Sequence, residues 1–149
     1  MSEIGFYHLT RSSAEAALPK LLGRTLALGE RAVVVAGSEE RLAAISTALW
    51  LSADPDWLPH GDVRTGQPGH QPIWLSTRPE NPNGGKFLFL LDGQEADEAG
   101  WTRIFDLFDG NDEQALAAAR LRWRARKEAG HRLTYNQQTP SGWEKKAEA

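Results

Sequence analysis

Cysteine is missing from all 149 residues. Its absence excludes a disulfide framework, a thiolate metal site, a thiol nucleophile and an iron–sulfur cluster. Apolar runs long enough to span a membrane, ~20 residues, are missing too. The start, Met1-Ser2-Glu3-Ile4-Gly5, has neither the basic nor the apolar region of a secretory leader. The expectation is therefore a cytoplasmic location with no membrane contact. Strong positive charge is lacking as well: a net charge of −3 excludes the overall basicity of a nonspecific nucleic-acid binder. What is there is ordinary globular composition, with 40% hydrophobic and 25% charged residues and neither repeats nor low-complexity tracts. The length suits one domain over 1–149, large enough to bury about 70% of the surface its unfolded chain exposes.

The chemistry of an enzyme is hard to find. The segment after the first predicted strand, His8-Leu9-Thr10-Arg11-Ser12-Ser13, has no glycine and no lysine–serine pair. After the second, Gly37-Ser38 is followed by Glu39 and Glu40, which repel phosphate. His60, Asp62 and His70 share one loop, but their spacing matches no established metal motif. Asp109-Gly110-Asn111-Asp112 resembles the start of a calcium loop, yet Ala115, Ala117 and Ala119 stand where ligands would follow, so a turn plus helix cap is the better reading. No serine has a nucleophile-elbow context. Neither catalytic residues, metal nor cofactor are expected, and a divergent enzyme built on His60, Asp62 and His70 is kept as an alternative.

Short apolar runs alternate with helical stretches. Strands are expected at Gly5–Leu9, Arg31–Ala36, Ile73–Ser76, Phe87–Leu91 and Leu133–Tyr135. Helices are expected from Ala14 or Leu18 to Leu28, from Glu39 to Trp50, from Glu98 to Phe108, and from Asp112, as N-cap, to Ala129. Pro19 is tolerable only in a helix's first turn, and Gly130 stops the last helix. Leu51–Pro72, with four prolines and three glycines, is a long loop, and loops of that length are more often functional than idle. From Gln137 the polar tail, 137–149, is expected to be loosely held apart from Trp143. Fully apolar strands such as Ala32-Val33-Val34-Val35 are buried on both faces, so the expected class is α/β, a three-layer α/β/α sandwich with a mainly parallel sheet.

Charge is unevenly spread. Between Asp92 and Glu113 eight acids face one base, Arg103; between Ala115 and Tyr135 six bases face one acid, Glu128. On a wheel at 100° per residue, Ala117, Leu121 and Ala125, with Ala118 beside them, form a stripe expected to face the core. Leu116, Arg120, Trp123 and Lys127 form another stripe, with Arg124 at its border. An indole walled by cations suits a ligand with an apolar side chain and several negative charges, above all an acidic peptide with a free terminal carboxylate. A single-stranded nucleic acid stacked on Trp123 would suit it too, and so would a solvated face with Trp123 packed under a loop. Trp50 and Trp57, near one irregular loop, are either a docking patch or a lid on the core.

Phe6-Tyr7, Ala48-Leu49-Trp50, Trp57-Leu58-Pro59-His60-Gly61, Phe108-Asp109-Gly110-Asn111-Asp112 and Ala119-Arg120-Leu121-Arg122-Trp123 occur in that order. In this combination the sequence resembles the chi subunit family of bacterial DNA polymerase III holoenzyme over essentially its whole length. The resemblance implies a non-catalytic accessory subunit with a nucleotide-binding-like fold but no phosphate loop. It implies binding of the acidic, phenylalanine-ending tail of single-stranded-DNA-binding protein, with DNA reached only indirectly, and attachment to the psi subunit or another clamp-loader component. The family's tail-binding positions match Arg120, Trp123 and Arg124. Leu116 replaces a lysine there, and Lys127 is the candidate to make up the lost charge. The family's psi contact matches Trp50 and Trp57, with Pro59 between the same elements.

Overall fold

The computed structural model describes residues 2–149. Strands β1 (Glu3–Leu9), β2 (Ala32–Val35), β3 (His60–Gly61), β4 (Ile73–Ser76), β5 (Phe87–Leu90), β6 (Arg103–Asp109), β7 (Arg132–Thr139) and β8 (Gly142–Glu148) form one sheet in the order β3-β4-β2-β5-β6-β1-β7-β8. All pairings are parallel except β7 with β8. Helices α1 (Ala14–Ala27) and α2 (Glu39–Trp50) cover one face, and α3 (Glu113–Glu128) covers the other. The three-layer α/β/α class follows.

Alternation along the strands builds both cores. In β1 and β2, Tyr7, Leu9 and Val34 turn to α1 and α2, meeting Leu18, Leu22 and Ile45; Ile4, Phe6, Val33 and Val35 turn to α3. Burial on both faces explains why the central strands carry almost no polar residue. The helices start at capping side chains: Ser13 accepts from the Ala16 N–H, and Ser38 from the Arg41 N–H. Each such cap contributes about 1 kcal/mol.

Three expectations are corrected. The segment expected as a helix from Glu98 to Phe108 contains β6 instead. Lying between β5 and β1, β6 satisfies its backbone on both edges, and its extended form buries Ile104, Phe105, Leu107 and Phe108 on two faces at once. A single helical stripe would bury fewer of them. The tail from Gln137 is ordered: β7 runs to Thr139, turns through Pro140 and Ser141, and pairs with β8, while Trp143 packs edge-on against Tyr7 at 5.0 Å. Pro19 sits inside α1 rather than in its first turn, and it is buried there. The missing N–H is the cost of that placement, offset by the ring's burial.

Candidate functional site

The rotation of α3 determines which of its side chains can meet a ligand. Asp112 caps it, accepting from the N–H groups of Gln114 and Ala115 at 2.9 and 3.3 Å. Glu113 at its start and Arg126 and Lys127 at its end suit the helix dipole. The stripe expected to face the core does not: Leu121 is 65% exposed, and Ala117, Ala118 and Ala125 are exposed with it. Ala119, Arg122 and Arg126 point inward instead.

Buried charge is the reason. Asp106 lies in the middle of β6 at 1% exposure, on the α3 side of the sheet. Arg122 grips it with both arms of its guanidinium, Nε to Oδ2 at 2.7 Å and Nη2 to Oδ1 at 2.9 Å. Arg126 Nη1 donates to Glu98 Oε1 at 2.8 Å. Burial pushes the Asp106 carboxyl above its ordinary range, against the pull of Arg122. Leaving that carboxylate unpaired would cost about 3–5 kcal/mol. Turning a few alanines and one leucine inward recovers less, because alanine buries so little area.

With α3 so turned, Leu116, Arg120, Trp123, Arg124 and Lys127 lie along one flank. Arg120, Arg124 and Lys127 are exposed, and among the described residues none of them is in an ion pair. Trp123 is half-buried, its ring edge-on to Phe6 at 5.4 Å and to Tyr135 at 5.9 Å. Leu116 packs half-buried beside it. The structure thus brings all five residues singled out on the wheel together.

Two neighbours went unnoticed in the sequence. Tyr135 of β7 hydrogen-bonds through its hydroxyl to His8 Nδ1 of β1 at 2.7 Å. The His8 ring is wedged against Phe108 and so close to Gly110 that a Cβ there would lie 1.8 Å from His8 Cδ2. Only glycine fits. Burial lowers the His8 imidazole below its ordinary value, and Arg120 reinforces the shift; burial raises the Tyr135 phenol. The one sequence signal was the alternation that places His8 two residues after Phe6, on the same face of β1.

The second predicted cluster lies on the opposite side of the sheet. Trp50, at the end of α2, is 62% exposed and Trp57 is 66% exposed, with ring centres 6.5 Å apart. Beneath them, His60 packs on Trp50 at 4.8 Å and is fixed by Ser46 Oγ and the Leu58 carbonyl. Pro59 is half-buried between buried Leu58 and His60. The tryptophans are a surface patch, not a lid. Asp62 accepts from the N–H groups of Arg64 and Thr65, and His70 lies exposed in a 3₁₀ turn. Among the described residues, no three His, Asp or Glu side chains are placed to hold a metal.

A cavity of about 880 Å³ opens at the carboxyl ends of β1 and β6. From these adjacent strands α1 and α3 leave to opposite faces, the switch point where such sheets bind ligands. Here Asp92 accepts from the Gly37 N–H at 2.9 Å, and Arg41 bridges Asp92 to Glu15. A carboxylate of the chain itself thus takes the backbone donor that precedes α2.

A family model described as DNA polymerase III chi subunit, HolC, matches residues 1–134. The chain belongs to the DNA polymerase III chi subunit family. That makes it a relative of proteins of DNA replication. A protein of Rickettsia prowazekii (strain Madrid E), named probable DNA polymerase III subunit chi, is 22% identical over 91 residues. The likeness covers 61% of this chain and 55% of that relative, so it spans about half the relative's length. Within this chi-family chain, the matched residues contain the whole α3 flank and both exposed tryptophans. They stop one residue before Tyr135.

Proposed function

We propose that this chain is a non-catalytic accessory subunit of the bacterial DNA polymerase III holoenzyme, working in the cytoplasm. Its α3 flank binds the acidic C-terminal tail of single-stranded-DNA-binding protein. Trp50, Trp57 and Pro59 dock on the psi subunit or another clamp-loader component, so the protein links the tail to the replicase and meets DNA only through its partner. One observation carries the reading: three exposed cations, none of them in an ion pair among the described residues, flank a half-buried indole on the sheet face opposite the exposed tryptophans. Arginine forks pair with carboxylates, and the indole accepts an apolar side chain.

A short-peptide contact of this kind is expected near micromolar affinity, about −8 kcal/mol. It should weaken as salt screens the exposed charges. Calorimetric titration with an acidic peptide ending in a free carboxylate tests it. Trp123→Ala and Arg124→Glu are expected to abolish binding and leave the circular dichroism spectrum unchanged, and Trp57→Ala is expected to leave it intact. Unchanged isotherms for the first two variants would defeat the assignment. A single-stranded oligonucleotide of similar charge serves as the comparison ligand. Tighter binding of the oligonucleotide than of the peptide would favour direct nucleic-acid binding instead.

A further inference from the structure

The α3 face of the sheet is not fully roofed. Its side chains form three cross-strand rows: Ile104–Ile4–Leu133, Asp106–Phe6–Tyr135 and Phe108–His8–Gln137. Arg122 ties α3 down over β6, and Trp123 reaches only the near side of β7. Beyond that point β8 carries the sheet outward, with Ala147 opposite Tyr135 and Glu144 opposite Gln137. Tyr135 and Gln137 are half-buried, and Glu144 and Ala147 are exposed. The hairpin therefore extends the sheet past the Leu116–Trp123 flank of the helix, and Leu116, Trp123 and Tyr135 all keep part of their surface in solvent.

The side chains along that flank differ in what they match. The helix has Arg120 and Arg124, which match carboxylates. The floor has Trp123, Leu116 and the Tyr135 ring, which match one apolar side chain. The Tyr135 ring cannot swing freely, since its hydroxyl is held by His8, and His8 is wedged against Gly110. A fixed aromatic ring loses little entropy on contact, which suits a residue that selects for shape.

We propose that the β7–β8 hairpin is the second wall of the peptide site and that Tyr135 is its specificity residue, enclosing with Trp123 the apolar side chain at the peptide's carboxyl end. The proposal rests on the peptide-binding reading above. It adds that discrimination between endings resides in a residue of the sheet hairpin rather than in the cationic flank of α3.

The test compares two acidic peptides, identical except that one ends in phenylalanine and the other in alanine. Each is titrated calorimetrically into the full chain and into Tyr135→Phe, Tyr135→Ala and Tyr135→Thr. The wild type is expected to prefer the phenylalanine ending by about tenfold or more, and Tyr135→Phe to keep most of that preference. Tyr135→Ala is expected to reduce it to about threefold or less while alanine-ended binding stays near the wild-type value. Tyr135→Thr keeps a strand-forming residue should the alanine variant fail to fold, and it is expected to behave alike. An unchanged preference in both would overturn the proposal and leave the peptide reading standing. Equal weakening toward both peptides would make Tyr135 merely structural, which also overturns it. If the wild type binds neither peptide, both the proposal and the reading beneath it fall.

Discussion

Replacing Arg122 by methionine retains most of the side-chain length and removes the charge that faces Asp106. That carboxylate is 1% exposed and receives both of its hydrogen bonds from this one residue, at 2.7 and 2.9 Å. Breaking a buried pair from one side costs about 3–5 kcal/mol. Arg126 also pulls on Asp106, so the loss should lie near the lower end, about 3 kcal/mol. Total stability for a domain is only ~5–15 kcal/mol. At ~2–4 °C per kcal/mol, melting should fall by about 6–12 °C. Combining Arg122→Met with Asp106→Leu removes both charges and should recover stability to within about 1 kcal/mol of the wild type. Urea unfolding followed by far-ultraviolet circular dichroism measures both, with the slopes checked for a common unfolding transition. A single variant that loses less than about 1 kcal/mol would refute the argument that this pair sets the rotation of α3. So would a double variant as unstable as the single one.

Two further outcomes follow from the His8 corner. Gly110→Ala would drive a methyl group into the His8 ring and against the Leu9 carbonyl at 2.8 Å, costing about 1–3 kcal/mol. Adding His8→Ala should return only the ring's share of that loss, and thermal melts of the two singles and the double measure the coupling. The lowered His8 pKa gives a pH signature. The unfolded chain takes up a proton near the ordinary value of 6.5 while the folded chain resists it, so this contribution to stability is present above that value and lost as pH falls toward the folded pKa. The melting temperature of the wild type should therefore drop more than that of His8→Gln between pH ~7 and pH ~5. Parallel curves for the two proteins would show that His8 is not the titrating group.

Much of the fold was legible because several elements announce themselves locally. Ala32–Val35, Ile73–Ser76 and Phe87–Leu90 are short, apolar on both faces and flanked by turn residues, and each is a strand. Asp112 caps the helix that it was expected to cap. β6 was illegible for a specific reason. Asp106 interrupts its apolar run, and the partner that makes a carboxylate tolerable in a central strand lies sixteen residues away on α3. No local pattern contains that pairing. The hairpin was hidden differently: β7 and β8 lie at the end of the sheet, so most of their side chains are polar and show little alternation. Gln138 adds a non-local tie, accepting from the N–H groups of Thr10, Arg11 and Ser12 through its side-chain oxygen.

The five residues of the cationic flank lie together even though the core stripe of their helix was misplaced, and geometry explains how both can be true. At 100° per residue, the inward stripe of Ala119, Arg122 and Arg126 is roughly 130° from the one expected at Ala117, Leu121 and Ala125. The flank carrying Leu116, Arg120, Trp123 and Lys127 is more than a quarter-turn from the expected stripe and about a quarter-turn from the observed one. In the expected rotation it would point largely to solvent, and in the observed one it lies at the helix's side. The difference lies in what it meets. In the expected rotation, Trp123 would stand well away from the sheet, a lone indole among cations. In the observed one, Trp123 and Leu116 lean onto β1 and β7 while Arg120, Arg124 and Lys127 remain in water. A buried ion pair on the far side of α3 thus gives the cationic flank its apolar floor, and binding by that flank should depend on Asp106 and Arg122, which no peptide would touch.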